Sequence, residues 1–189
     1  MVAQKRELCP ESKMSSLIAR AQADTANGLR DLEGLIRDYP EDARLHFLKG
    51  SLLAGQQDYT AAREAMRRAV DVAPDYAVAR FQLGFLLLTS GEPHAAQEAW
   101  GPLHGLPSDN YMKIFVQGLC HLIRDEFDDT IGLLQDGMAR NHENPPMNAD
   151  MQLIIDEVRR RQSNRGDPSG ATSSVGQLLR QSALKATKH

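Results

Sequence analysis

The sequence predicts an all-α protein built from repeated helical hairpins. Two sets of residues recur every 34 positions, a period typical of helix–turn–helix repeats: Gly50, Gly84 and Gly118, together with Phe47, Phe81 and Phe115. No segment shows the apolar and polar alternation that predicts a strand. The same helical unit is therefore predicted three times in succession.

Further positions keep the register and match a known family. Ala62 and Ala96 are small residues 34 positions apart, and the bulky Met66 and Trp100 follow each of them. Pro74 breaks one hairpin before the next begins, because proline cannot continue a helix. In these residues the chain resembles the tetratricopeptide repeat family. The resemblance implies a right-handed superhelix of hairpins, in which small residues let paired helices approach closely.

The register divides the chain into successive segments. They are a degenerate N-terminal repeat over 9–42, three full repeats over 43–76, 77–110 and 111–144, and a capping helix over 148–162. Asp58, Glu92 and Glu126 fall at the start of each second helix, where negative charge suits the helix dipole. Each repeat is thus predicted as one helical hairpin.

Two departures from the pattern carry predictions of their own. In the second repeat, Gly101 and Pro102 predict that the second helix ends early and that residues 103–109 form an irregular loop. In the third repeat, Thr130 and Gly137 stand where alanine is usual. These two replacements indicate either looser helix packing there or drift within the family. We favour drift, because repeat arrays usually stack each unit on its neighbours.

The C-terminal part is predicted to end the array. Asn148 is a candidate N-cap, and an apolar stripe follows it at helical spacing: Met151, Ile154, Ile155 and Val158. Residues 163–173 have the composition of a flexible linker. Residues 174–189 are predicted either as a short helix or as a disordered end. The helix would cover a groove of its own chain or of a second copy of the protein.

Composition argues against several classes of function. The 189 residues carry a net charge of −3, which disfavours a nucleic-acid binder. The longest apolar run is too short for a membrane span, and the N-terminus lacks an apolar leader. The two cysteines show no metal or redox spacing. A cytoplasmic location is expected.

No catalytic residue, metal ligand or cofactor site is predicted. The adjacent acidic pairs lie on helices, where neighbouring side chains point apart. The six histidines lack the i, i+4 spacing typical of metal sites on a helix. His46 and His121 occupy packing positions and are interpreted as structural. The protein is therefore not expected to be an enzyme.

The family geometry implies that one face of each first helix lines the inner wall of the superhelix. On this wall the resemblance places nine apolar residues: Phe47, Val78, Phe81, Phe85, Leu88, Met112, Phe115, Leu119 and Leu122. Such a groove suits an amphipathic helix or an extended segment with apolar anchors. The alternative is that these residues are core, covered by the ends of the chain itself.

The predicted function is a protein–protein interaction module, an adaptor or scaffold in a bacterial cytoplasmic assembly. The alternative is a chaperone that resembles the small repeat-containing chaperones of type III secretion. The partner is a protein or peptide of unknown identity, and neither nucleic acid nor a membrane span is expected. A homodimer through the N-terminal helices or the C-terminal tail stays open.

Overall fold

The computed structural model describes residues 7–164, and within that range all regular structure is helical. The α-helices are α1 Glu11–Ala23, α2 Thr25–Asp38, α3 Ala43–Gly55, α4 Tyr59–Val72, α5 Ala77–Thr89, α6 Pro93–Trp100, α7 Tyr111–Ile123, α8 Phe127–Arg140 and α9 Pro145–Asn164. The predicted all-α fold is confirmed. The predicted tail and all but the first residues of the predicted linker lie outside the described range.

The helices follow the 34-residue register. The first helices α3, α5 and α7 begin at Ala43, Ala77 and Tyr111, the residues with which the three predicted repeats start. Helix α1 packs on α2, α3 on α4, and α7 on α8. The side chain of Asp58 caps α4 by accepting a hydrogen bond from the backbone N–H of Ala61 at 3.1 Å.

The chain divides into two compact units, Met1–Leu83 and Gly84–His189, and the boundary falls inside α5. The first unit contains a cluster of buried residues from its N-terminal segment, α1, α2 and α3: Cys9, Met14, Leu17, Leu32 and Leu45. In the second unit, Trp100, Phe115 and Leu134 are fully buried. Each unit thus has its own apolar interior.

Two of the repeated glycines allow close approach between helices. A methyl group at Gly84 of α5 would lie 2.1 Å from the indole nitrogen of Trp100 at the end of α6. A methyl group at Gly50 of α3 would lie 2.8 Å from the Met66 side chain of α4. The large residue that follows each small one in the register therefore fills the space that the glycine of the same hairpin leaves.

The second repeat differs from its prediction in one respect. Helix α6 ends at Trp100, so the predicted early end is confirmed. The segment that follows begins as a 3-10 helix over Gly101–Gly105, and the predicted irregular loop is therefore wrong at its start. Pro102 lies in the first turn of this 3-10 helix, where its missing N–H leaves no helical hydrogen bond unmade.

In the third repeat the helices pack closely at the two replaced positions. Thr130 is fully buried, and its hydroxyl donates a hydrogen bond of 2.8 Å to the backbone oxygen of Glu126. A methyl group at Gly137 would lie 2.5 Å from the ring of Phe115. An aromatic ring thus occupies the space beside Gly137. Looser packing is not found, and drift within the family is the alternative that agrees with these contacts.

Helix α9 begins at Pro145, earlier than predicted, because proline is tolerated in the first turn of a helix. Asn148 therefore does not cap α9. Its side-chain amide instead donates to the backbone oxygens of Asn141 at 3.2 Å and Met138 at 3.4 Å, at the end of α8. The predicted apolar stripe is buried along its length: Met151, Ile154, Ile155 and Val158.

Candidate protein-binding site

The nine residues of the predicted wall separate into two groups by burial. Six are buried, with exposed fractions between 0 and 7%: Phe81, Leu88, Met112, Phe115, Leu119 and Leu122. The other three, Phe47, Val78 and Phe85, are half-buried. At the six buried positions the structure corrects the assignment to a partner-binding wall, because these side chains belong to the core. Only the three half-buried residues remain available to a partner.

The geometry of α7 shows why the correction arises at Phe115. On α7, the Cβ position of Gly118 faces Leu134 of α8. On α8, the Cβ position of Gly137 faces Phe115 of α7. Phe115 and Gly118 are three residues apart and share one face of α7. The face assigned to the groove is therefore part of the packing between α7 and α8.

In the first unit, one accessible apolar surface lies around Phe47 and Tyr76. Their ring centroids are 5.4 Å apart and the rings are tilted by 56°. Aromatic pairs prefer this kind of arrangement. Tyr76 also lines a cleft of about 480 Å³, named here the Tyr76 cleft. Its lining residues are Leu8, Glu41, Asp42, Ala43, Arg44, Val72, Ala73, Asp75 and Tyr76. Apolar surface thus continues from α3 into the cleft.

Two further features of the cleft suit an apolar ligand. Leu8 is 53% exposed, a large fraction for an aliphatic side chain. Burial raises the pKa of the Tyr76 hydroxyl, which like any tyrosine is neutral at physiological pH. The cleft therefore presents aliphatic and neutral aromatic surface between its charged residues.

One wall of the cleft is fixed by a buried ion pair between Asp42 and Arg44. Asp42 is 1% exposed. Its Oδ2 accepts hydrogen bonds from the Cys9 backbone N–H at 2.9 Å and from Arg44 Nη2 at 2.7 Å. Arg44 Nη2 also donates to the Cys9 carbonyl at 2.8 Å, and Arg44 Nη1 pairs with Glu11. The pair thus joins the N-terminal segment to the start of α3.

The sequence prediction missed this ion pair. An Asp two residues before an Arg at the start of a helix is the local signal for the pair. The contact with Cys9 has no such signal, because 33 residues separate Cys9 from Asp42.

The ion pair makes stability depend on pH. Burial alone would raise the pKa of Asp42, but hydrogen bonds from Arg44 and from the Cys9 N–H outweigh it and hold the pKa below its ordinary 3.8. A lowered carboxyl pKa contributes stability that is present above 3.8 and is lost as pH falls through the folded-state pKa.

We therefore expect acid to weaken the fold through Asp42, and Asp42→Asn to remove part of that dependence. At pH 7 the substitution should lower the free energy of unfolding by about 2 kcal/mol, because a charged hydrogen-bonded pair is broken. Denaturant titrations at pH 7 and below pH 4 measure both effects. An Asp42→Asn variant with unchanged stability and unchanged acid sensitivity would contradict the role of the pair.

A second polar cluster lies in the second unit, where the turn between α7 and α8 brings His121, Glu126 and Asp129 together. His121 Nδ1 lies 2.7 Å from Glu126 Oε2 and 3.8 Å from Asp129 Oδ2. These are groups that bind divalent metals, and their ligand atoms lie within 4.8 Å of one another. No histidine spacing in the sequence predicts this cluster, because its residues lie on α7, on α8 and in the turn between them.

Arg124 already pairs with the Glu126 carboxylate of this cluster. Its guanidinium Nε and Nη2 both lie 2.8 Å from the Glu126 oxygen that faces His121. The pKa of Glu126 is lowered although partial burial opposes the shift, because Arg124 and His121 favour its charged form. The cluster therefore joins the end of α7 to the start of α8 as an ion-pair network. His46 is also structural, as predicted, since its Nε2 lies 2.8 Å from the Pro40 carbonyl oxygen.

Comparisons with known proteins agree with the repeat register. Residues 14–78 match the family model of the tetratricopeptide repeat, which supports the resemblance over that segment. The chain is similar to cellulose synthase operon protein C of Escherichia coli O157:H7, with 23% identity over 94% of the chain. The chain spans only 16% of the length of that relative.

A solved structure has a similar fold. It is MamA from residue 41 to its end, from Desulfovibrio magneticus RS-1, with a TM-score of 0.59 and 13% identity. The match covers 95% of this chain and 97% of that chain. At this identity the similarity concerns the fold. No helix among residues 7–164 combines the length and apolar character needed to cross a membrane.

Proposed function

We propose that this chain of tetratricopeptide repeats is a non-catalytic adaptor that binds a segment of a partner protein at the Tyr76 cleft of its first unit. Tetratricopeptide repeats generally serve as scaffolds for protein–protein interaction, and repeat arrays offer extended surfaces for this purpose. The proposed ligand is an extended or helical segment that places one apolar anchor side chain in the cleft and a second against Phe47.

The observation that carries this proposal is the aromatic pair at the cleft. Phe47 and Tyr76 contact each other, both are half-buried, and Tyr76 lines a cleft of about 480 Å³. Clefts of this size commonly hold ligands through apolar walls and a few polar groups. The rim supplies both signs of charge, from Glu41, Asp75 and Arg44. The Asp75 carboxylate can accept hydrogen bonds from the bound segment. Arg44 contributes its charge, since its donors already bind Asp42, Glu11 and the Cys9 carbonyl.

The burial of the six wall residues favours an adaptor over a chaperone. A chaperone that covers a long hydrophobic segment needs a long accessible apolar wall, whereas an adaptor needs room for a few anchors. In the first unit the accessible wall residues are Phe47 and Val78. A single short segment fits this surface better than a long hydrophobic one. The cytoplasmic location and the bacterial assembly stay predictions from the sequence.

Replacing Tyr76 with alanine is expected to weaken partner binding while the fold persists. The peptide probe is selected from a displayed library on the wild-type protein, and its affinity is measured by fluorescence anisotropy. Tyr76→Ala should cost about 2 kcal/mol of binding free energy, or about 30-fold in Kd, as for an aromatic hot spot.

Tyr59→Ala is the matched control, because Tyr59 is a half-buried tyrosine of the same unit that does not line the cleft. Equal affinities of wild type and Tyr76→Ala for every selected peptide would exclude the cleft as the binding site. Circular dichroism of both variants verifies that helical content is retained.

A further inference from the structure

A second cleft in the first unit lies between α1 and α2 and has a different character. It encloses about 640 Å³ and is named here the α1–α2 cleft. Its lining residues are Ser12, Lys13, Ser16, Leu17, Arg20, Arg30, Asp31, Gly34, Leu35, Arg37 and Asp38. None of them lines the Tyr76 cleft.

The two helices approach closely at one end and leave room at the other. Near the α1–α2 turn, a methyl group at Gly28 would lie 2.5 Å from the backbone of Ala21. Farther along α2, a methyl group at Gly34 would meet only a terminal nitrogen of Arg37, at 3.9 Å. Glycine weakens a helix interior, and packing within the chain does not require it at position 34. Gly34 leaves space in the cleft lining that a ligand can occupy.

The cleft is positively charged on a chain whose net charge is −3. Four cationic side chains and two carboxylates line it, which gives a net charge of +2. Two of the cations have partners: Arg20 pairs with Asp31 at 2.9 Å, and Lys13 donates to the Tyr39 hydroxyl at 3.2 Å.

The other two cations remain available. Arg30 and Arg37 are exposed and form no ion pair with any residue in the described range 7–164. Both are arginines, whose planar guanidinium groups bind carboxylates with two parallel hydrogen bonds. The surface around the open space at Gly34 therefore attracts carboxylates.

We propose that the α1–α2 cleft is a second binding site, which takes an acidic amphipathic helix of a partner protein. A helix fits because two neighbouring helices form a groove, and Gly34, Ser12 and Ser16 are small enough to let a third helix approach. Its apolar stripe would lie over Gly34 and meet the half-buried Leu35, and its carboxylates would pair with Arg30 and Arg37. This is the helix-in-groove mode of recognition with an acidic ligand.

The test uses a fluorescein-labelled synthetic helix of about 17 residues, long enough to be partly helical in water. One face carries glutamates and the other leucine and alanine. Binding to the full chain is measured by anisotropy at low salt and again at high salt. The wild type is expected to bind the peptide, and salt should weaken the binding because exposed charges are screened.

Two variants and two controls decide the proposal. Gly34→Leu should fill the open space and weaken binding by about tenfold or more, and the double variant Arg30→Glu/Arg37→Glu should have a similar effect. Gly132→Leu is the matched control for the first, because a methyl group at Gly132 also meets nothing within 4 Å. Arg67→Glu is the control for charge, because Arg67 is an exposed cation of the same unit outside the cleft.

Both controls should bind like the wild type, and thermal melts should show that all variants fold. The proposal is overturned if the wild type does not bind the acidic peptide, or if Gly34→Leu and the charge reversal leave its affinity unchanged. Equal binding of a lysine-substituted peptide would overturn it too. The proposal would also be overturned if anionic vesicles or single-stranded DNA bound more strongly than the peptide and this binding were lost in the same variants.

Discussion

Replacing Gly84 with leucine should disrupt the second unit. The first methylene of the new side chain would lie 2.1 to 2.5 Å from the indole of Trp100, which is fully buried and has no space into which to move. Overpacking of this kind costs about 3 kcal/mol or more. Chemical denaturation monitored by tryptophan fluorescence measures the loss directly, because Trp100 is the one tryptophan of the chain.

Gly132→Ala is the control for this prediction. A methyl group at Gly132, inside α8, meets nothing within 4 Å. The alanine should therefore stabilise the helix by about 0.5 to 1 kcal/mol. If Gly84→Leu unfolded at the same denaturant concentration as the wild type, the close packing of α5 on Trp100 would be refuted.

The second large effect is expected at Phe115, in a double-mutant cycle with Gly137. Phe115→Ala removes a fully buried ring and should lower the free energy of unfolding by about 3 to 5 kcal/mol. Gly137→Ala alone should also destabilise, because its methyl group would lie 2.5 Å from the Phe115 ring.

The sign of the Gly137 effect should reverse in the double variant. Once the ring is absent, the Gly137 methyl fills part of the cavity and improves helix propensity, so Gly137→Ala should stabilise the Phe115→Ala protein. Equilibrium denaturation of the four proteins gives the coupling energy. Additive effects would show that the ring and the glycine do not pack against each other.

The repeated pattern predicted the fold because each recurring residue has a local physical role. Gly50 contacts Met66 and Gly84 contacts Trp100, each within one hairpin. Because the hairpin is repeated, these contacts recur in the sequence at a spacing of 34 residues. The starts of α3, α5 and α7 follow from the same register. Helix starts and contacts within one hairpin could therefore be predicted from the sequence.

The candidate site was less predictable, because it depends on contacts between distant segments. The register identifies which residues share a face of α7, but it does not show that Phe115 fills the space above Gly137. Likewise, the wall of the Tyr76 cleft depends on Asp42 binding the backbone of Cys9. The positions of Phe47 and Tyr76 in the register give no indication of the cleft itself.

The division of the predicted wall into core and accessible residues is tested most directly by two matched variants, Phe47→Ala and Phe81→Ala. Both were predicted wall residues, and Phe47 is half-buried whereas Phe81 is 1% exposed. The measurement is the affinity of each variant for a peptide selected on the wild type, at a temperature where both are folded.

We expect Phe47→Ala to weaken peptide binding by about 30-fold with little change in stability. Phe81→Ala should keep its affinity and lose about 3 to 5 kcal/mol of unfolding free energy. Full affinity in Phe47→Ala, together with lost affinity in a folded Phe81→Ala protein, would contradict the proposed site.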